Sequence, residues 1–354
     1  MPPTTTAFFE RTSFTNLQET FTAMETTSKM NGVVIDGYGG PEVLKHRSDV
    51  DVPTPGAKQI LVKIKSAGIN SVEGRVRQGL FLTSLFKPQS VMGVDGSGVV
   101  EQVGGEVTKF KPGDRVYVVC GRTGTYAEYT LANEDNLYLL HDKLSFNEGA
   151  VLPIPYFTAH RALVKRARIE KGESVLIQGA SGQVGLACIQ IARAFGATTI
   201  VGTAGTPEGR NLVMKQGADF AIDYRAEDYK DQMKTAFADK NIDVIIEMNC
   251  DTNIALDMDI IGEGGRIVIV GKKGEAKCDP SRLMLKEALM MGSGLRLATE
   301  EDRELIARDL YAGVEEGWLR PHINKVYSLE EAGTAHWEME NQRGALGKSI
   351  IAVE

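Results

Sequence analysis

The chain has 354 residues, 42% hydrophobic and 25% charged, with a formal net charge of -7. That length exceeds one compact core and points to two domains of ordinary soluble composition. The acidic balance speaks against non-specific attraction to nucleic acid or anionic lipid, leaving only a local basic patch as a route to RNA or DNA, and no apolar run is long enough to span a bilayer.

Residues 1–29 are polar and β-branched without a strand or helix period, as in Thr4-Thr5-Thr6 and Thr26-Thr27-Ser28. They read as a disordered extension or as an alternative start at Met24 or Met30. The rival reading, a targeting peptide, lacks an apolar segment, is poor in arginine and carries Glu10, Glu19 and Glu25. From Gly32 to about Leu140, short apolar runs are broken by Gly, Pro and Asp: Ile60 to Ile64, Gly98 to Val100, and Arg115 to Val119 after the turn Pro112-Gly113-Asp114. Such density of short strands predicts a small barrel or sandwich.

Ser145 with Glu148 three residues later forms a capping box. Tyr156 to Arg168 then reads as a helix with basic residues near its end. From Gly172 onward strands and helices alternate. The strands are Ser174 to Ile177, Thr199 to Val201, Phe220 to Ile222, Val244 to Ile246 and Ile267 to Val270. The helices are Val184 to Phe195, Pro207 to Gly217 and Asp228 to Asp239. This alternation predicts a parallel sheet covered on both faces. A helix from Asp302 to Gly313 follows, and Ser349 to Val353 could return a strand to the first domain. Cys120, Cys188, Cys250 and Cys278 lie far apart without metal-ligand or redox spacing, as separate reduced thiols of a cytoplasmic protein would.

The strongest chemical signal is Gly179-Ala180-Ser181-Gly182-Gln183-Val184-Gly185, placed between a strand and a helix. Gly182 would let the backbone pass close to a pyrophosphate, and Gly185 would let helix and strand pack closely. Free N–H groups at the helix start would bind the phosphate charge. The bland counterpart is a tight turn without a ligand. An NAD enzyme places an acid on the ribose at the end of the second strand. Here Gly202-Thr203-Ala204-Gly205-Thr206 contains none. A carboxylate there would repel a 2′-phosphate, so its absence permits NADP, and NADPH is expected to bind at least about tenfold tighter than NADH. Arg210 and Lys215 are candidate phosphate cations or, equally, solvated helix charges. Tyr224 could hydrogen-bond the phosphate region.

Six motifs occur in order before and at this loop: Gly39-Gly40-Pro41-Glu42-Val43-Leu44, Ala67-Gly68-Ile69-Asn70-Ser71-Val72-Glu73, Lys111 to Val116, Gly124 to Tyr129, Pro155 to Ala159, and Gly179 to Gly185, with Gly202 to Thr206 following. From Gly32 to its C-terminus the chain therefore resembles the zeta-crystallin-like quinone oxidoreductases, the zinc-free branch of the medium-chain dehydrogenase/reductase superfamily. The resemblance implies an α/β protein with two domains. A GroES-like β-rich catalytic domain would span residues 30–150 and be completed by 310–354. A Rossmann NADP-binding domain, a doubly wound parallel sheet, would span 151–309. NADPH would lie in the cleft between them, the substrate would be a quinone, and the assembly would be a homodimer or homotetramer.

Carried over by position, Ser181, Gly182, Gln183 and Val184 would hold the pyrophosphate. Gly205 and Tyr224 would line the adenosine-phosphate pocket, with Asn253 near the adenosine or its ribose. Val270, Gly271, Lys272 and Lys273 would follow the strand on the nicotinamide side, and Ser293, Gly294 and Leu295 would close over the nicotinamide. Asn70, near the nicotinamide, is the candidate catalytic residue. Two departures stand out: Arg75 replaces a tyrosine, and Gln183 replaces a small or branched residue. Zinc-dependent members need a cysteine and a His-Glu pair where this chain has Asn70 and Val94-Asp95. Asn and Val cannot replace thiolate and imidazole, so no metal is expected. The five histidines are scattered; His160, beside the expected cleft, is the one of interest. The expected activity is zinc-independent electron or hydride transfer from NADPH to a quinone, needing no strong acid or base because the cofactor carries the chemistry. Reduction of α,β-unsaturated aldehydes or ketones, and an NADPH-holding structural or RNA-binding role, remain as alternatives.

Overall fold

The structure, a computed structural model, describes residues 28–353 except 85, 122, 239, 342 and 343. Most of the expected extension lies outside the described residues. Lys29 does not belong to it: this residue opens the first strand and pairs with Asp51. The first half contains β1 (Lys29–Ile35), β2 (Leu44–Asp51), β3 (Gln59–Gly68), α1 (Ser71–Arg77), β4 (Asp95–Val103), β5 (Arg115–Val119), β6 (Tyr129–Asn133) and β7 (Leu137–Leu139). Next come α2 (Phe146–Gly149), α3 (Pro153–His160), β8 (Ser174–Ile177), α4 (Gln183–Ala194), β9 (Thr199–Thr203), α5 (Pro207–Lys215), β10 (Phe220–Ile222) and α6 (Tyr229–Phe237). The chain continues through β11 (Val244–Glu247), α7 (Cys250–Ile260), β12 (Arg266–Ile269), α8 (Ser281–Met284), β13 (Leu289–Gly292) and α9 (Glu300–Glu316). It ends with β14 (Ile323–Tyr327), α10 (Ala332–Asn341) and β15 (Lys348–Ala352).

These elements form two large sheets. The first runs β14-β15-β3-β4-β5-β7, with β6 also on β3, and β1–β2 forms a separate hairpin. The C-terminal strand β15 therefore returns to the first half, antiparallel to β3. The second sheet is wholly parallel in the order β10-β9-β8-β11-β12-β13. Its inner strands are apolar runs, and β8 and β11 are buried along their whole length, as strands covered on both faces must be. Tyr117 and Ile350 of the first sheet, and Leu140 just after β7, join the core of Val175, Ile177, Ile189 and Ile200. Shared apolar packing thus fixes the two halves to each other. Among the described residues no helix is long and apolar enough to cross a membrane.

Local chemistry explains most boundaries. Ser145 Oγ accepts from the Glu148 amide and the Glu148 carboxylate accepts from the Ser145 amide, closing the expected capping box. The helix expected from Tyr156 instead starts at Pro153, whose fixed φ and missing N–H suit a first turn. From Arg161 to Ala167 it widens into a π-helix, ended by Arg168 in the left-handed conformation. The helix expected from Asp302 starts at Glu300, because Thr299 Oγ1 accepts from the Asp302 amide.

Candidate active site

The parallel sheet dictates where a ligand can sit. Strand order reverses between β8 and β11, so the connections leaving these neighbours part company and open a crevice at their carboxyl ends. Gly179 to Gly185 leaves β8 at this point. Gly179 adopts a φ of 70°, which favours glycine, and Gly182 is the N-cap of α4. Among the described residues no acceptor meets the amides of Gln183 and Val184 in the first turn, where α-helices leave N–H groups unpaired. These amides and the helix dipole provide an anion site. Gln183 Oε1 is buried and without a partner.

The glycines of this loop do different things. A Cβ at Gly185 would lie 2.6 Å from both Cα and O of Ala180, so the packing of helix against loop itself demands glycine there. A Cβ at Gly182 would meet only Gly179 O at 3.5 Å and Ala345 Cβ at 3.7 Å. The fold does not require glycine at 182; a ligand pressed against the backbone would.

On the β9 side, Gly205 and Tyr224 come together: a Cβ at 205 would be 2.6 Å from Tyr224 Oη and 2.7 Å from Arg225 Nη2. The Arg225 guanidinium lies 5.2 Å from the centre of the exposed Tyr224 ring and donates to its hydroxyl at 3.2 Å. Sequence reasoning missed Arg225. The cations it weighed are elsewhere: Arg210 is bound to Asp223 at 2.7 Å, and Lys215 sits at the far end of α5, near His322. Only a neighbouring aromatic and a short strand hinted at Arg225.

The remaining expected cofactor residues follow the carboxyl edge of the sheet. Asn253, on α7, donates to Glu247 at 3.3 Å. Val270 and Gly271 leave β12, with both amides donating to Glu247 O, and the Lys273 amide donates to Asp251 at 2.8 Å. Lys272 and Lys273 are exposed. Ser293 follows β13, its amide donating to Ile269 O while its buried hydroxyl has no partner. Gly294 and Leu295 continue from it.

Asn70 belongs to the other sheet, at the N-terminus of α1, wholly buried. Its Nδ2 donates to Asp95 Oδ1 at 2.7 Å, and Asp95 Oδ2 accepts from Lys348 Nζ at 2.5 Å and from the Ile154 amide at 3.2 Å. The Lys348 and Asp95 side chains are both fully buried. Immediately before Lys348, the Gly347 amide donates to Ser181 O in the phosphate loop at 2.8 Å. One C-terminal segment thus ties that loop to Asn70. Beside it, Glu73 accepts from the Asn70 and Val94 amides and from the Tyr126 hydroxyl. Burial, and then the charge of Asp95, push the Glu73 carboxyl up to about 7. His336, against Tyr126, is driven down to about 3 by burial and by Arg77. Residues far apart in sequence make this cluster, so no local motif announced Lys348, Tyr126 or His336.

The site's two halves match known families. Residues 56–142 match the alcohol dehydrogenase GroES-like domain, and residues 184–308 match the zinc-binding dehydrogenase family. The quinone oxidoreductase of Sus scrofa is 44% identical over 322 residues, covering 91% of this chain and 97% of that protein. This chain belongs to the quinone oxidoreductase family. That family lies within the medium-chain dehydrogenase/reductase superfamily, so the GroES-like and Rossmann halves expected from the motifs are both present. A crystal structure of Escherichia coli quinone oxidoreductase complexed with NADPH superposes with a TM-score of 0.82 at 26% identity, covering 91% of this chain and 100% of that one. A crystal structure described as an NAD-dependent alcohol dehydrogenase gives 0.84 at 31% identity, covering 92% and 100%.

In this quinone oxidoreductase-family chain, Asn70 and Val94-Asp95, the positions expected to carry ligands in a zinc-dependent member, meet in one buried corner with Lys348. Arg75 is exposed on α1. His160 is tied to α9 and α4: its Nε2 is bonded to Asp309 at 2.9 Å, its ring packs edge-on against Phe195, just past α4, and burial pushes its pKa down.

Proposed function

We propose that this oxidoreductase reduces quinones with NADPH and without zinc. The observation that carries the reading is the crevice at the β8–β11 divide, where unpaired amides of Gln183 and Val184 face the space that a dinucleotide's phosphates would fill. Ser181 to Val184 would bind the pyrophosphate. Gly205, Tyr224 and Arg225 would take the 2′-phosphate end, and Asn253 the ribose. Val270 to Lys273 and Ser293 to Leu295 would flank the nicotinamide. When bound, the nicotinamide supplies the reducing electrons. Asn70, with its Nδ2 committed to Asp95, would orient the nicotinamide or quinone through its unpaired Oδ1. The buried Lys348–Asp95 ion pair holds the Asn70 amide in place from behind.

Following NADPH absorbance with a panel of quinones and unsaturated aldehydes tests the reading. Quinone-dependent oxidation supports it; oxidation by enals alone, or by no acceptor, overturns it. Arg225→Ala should weaken NADPH binding about tenfold and leave NADH binding unchanged. Equal loss for both dinucleotides in a fluorescence titration would refute the role given to Arg225.

We further propose that the protein is a homo-oligomer joined through β13. This strand is one of the two edges of the parallel sheet, and Leu289 there and Leu285 just before it are 57% and 80% exposed. An apolar open edge of this kind invites pairing with another copy. Sedimentation should find a dimer or tetramer, and Leu289→Lys should dissociate it. The exposed free thiol of Cys278 fits a reducing compartment, and we place the protein in the cytoplasm.

A further inference from the structure

We propose that Glu247 and Asp257 share one proton as a buried acid–carboxylate pair, and that this pair positions the dinucleotide crevice by holding Asn253 and Gln178. Both are positioning residues, and their role rests on the dinucleotide reading above. Glu247 ends β11 at the divide, and Asp257 faces it from α7; both are completely buried. Glu247 Oε1 accepts from the Asn249 amide and from Asn253 Nδ2. Asp257 Oδ1 accepts from Gln178 Nε2 at 2.9 Å. The second oxygens, Glu247 Oε2 and Asp257 Oδ2, are buried and have no donor, yet the two carboxyl groups lie close enough to pair, each shifting the other's titration. Two carboxylates can pair only with a proton between them, and two bare charges buried here would each cost several kcal/mol.

The hydrogen bonds continue beneath the phosphate loop. Gln178 Oε1 accepts from Thr203 Oγ1 at 3.0 Å and from Tyr229 Oη at 3.3 Å, and Thr203 Oγ1 accepts from the Gly179 amide at 3.0 Å. A continuous chain therefore runs from Asn253, on the ribose side, to the first residue of the loop. The shared proton closes it. Loss of that proton would set two charges against each other and spread β11 from α7.

Burial, then the bond to Glu247 and its charge, push Asp257 up to about 9; burial likewise raises Glu247. The other titratable groups around the pair are Asp251 and Cys250 on α7 and Tyr229 on α6, with Lys272 acting on Cys250. Burial pushes Tyr229 up to about 12, and Cys250 stays unchanged in the variants below. The sign follows from proton uptake. The folded protein keeps the Asp257 proton up to about 9, whereas the unfolded chain releases it near about 3.9. Stability from this group is therefore lost progressively as pH rises between those values.

Asp257→Asn places an amide N–H where the shared proton lies and keeps an oxygen for Gln178. Glu247→Gln does the same from the other side. Each single variant of the full chain should bind NADPH within about twofold of the parent near neutral pH. The double variant sets two amide donors face to face and should bind at least about tenfold more weakly. In thermal melts from about pH 6 to about pH 10, Asp257→Asn should give a flatter stability profile than the parent. The parent's NADPH affinity should fall above about pH 9 while that of Asp257→Asn holds. Loss of binding in both single variants, or melts with the same pH slope as the parent, overturns the shared proton. If the double variant fails to fold, the melts and titrations of the single variants still decide. A parent that binds no dinucleotide defeats the functional reading instead, while the melts continue to test the pair.

Discussion

Replacing Lys348 with methionine should destabilise the protein by about 3–5 kcal/mol, measured as a lower denaturant midpoint. The ammonium lies 2.5 Å from Asp95 and neither side chain reaches solvent. Truncation leaves Asp95 as a buried anion with only the Asn70 amide and the Ile154 N–H to stabilise it. Glu73, already pushed up to about 7 by burial and by Asp95, would feel that anion undiminished. Asp95→Asn has the converse fault, a buried ammonium without its counter-ion. The double variant Lys348→Met with Asp95→Asn should therefore lose less than the sum of the singles, by about 1–3 kcal/mol. Additive losses would show that the pair contributes nothing as a pair. Gly68 adds a steric reason for this arrangement, since any Cβ there would run into Lys348 and would lie 2.5 Å from Asp95 Oδ1. The same glycine belongs to the Ala67 to Glu73 motif, so part of that motif records the passage of a lysine from the far end of the chain.

What could be read from sequence was local and repetitive. The parallel sheet was legible because β8, β9, β11 and β12 are apolar runs separated by helices with a 3.6-residue period. The phosphate loop was legible because glycines at fixed offsets sit between a strand and a helix. α7 was not, since Asp257 interrupts its buried face beside Ile254 and Met258. A buried carboxyl looks polar in sequence, and its partner Glu247 lies on another element. β13 escaped for the opposite reason: its residues are largely exposed, so it shows neither alternation nor a buried run. The Asn70 corner was half legible. The motif located Asn70, but Asp95 and Lys348 are brought to it by pairing between distant strands, β4, β3 and β15. Likewise Arg225 gained significance only when Gly205 and Tyr224 were seen to touch.

Gly185→Ala and Gly182→Ala should separate folding from dinucleotide binding within one loop. At Gly185 the added carbon would sit 2.6 Å from Ala180 Cα and O and 2.7 Å from its carbonyl carbon. All three atoms are backbone, so no rotamer change relieves the clash; α4 must move off the sheet. Overpacking of this kind costs about 1–3 kcal/mol, and the upper end is expected where only backbone can yield. At Gly182 the backbone is extended, at φ -77° and ψ 168°, which alanine adopts freely, and its Cβ meets nothing closer than 3.5 Å. The loss of a good N-cap residue there costs at most about 1 kcal/mol. The methyl group would, however, stand where a pyrophosphate approaches the loop. Gly182→Ala should therefore melt near the parent temperature and bind NADPH at least about tenfold more weakly. Gly185→Ala should lose stability first, and bind NADPH well in whatever fraction stays folded. A Gly182→Ala protein that is well folded and binds NADPH as tightly as the parent would mean that the phosphates do not lie against this loop.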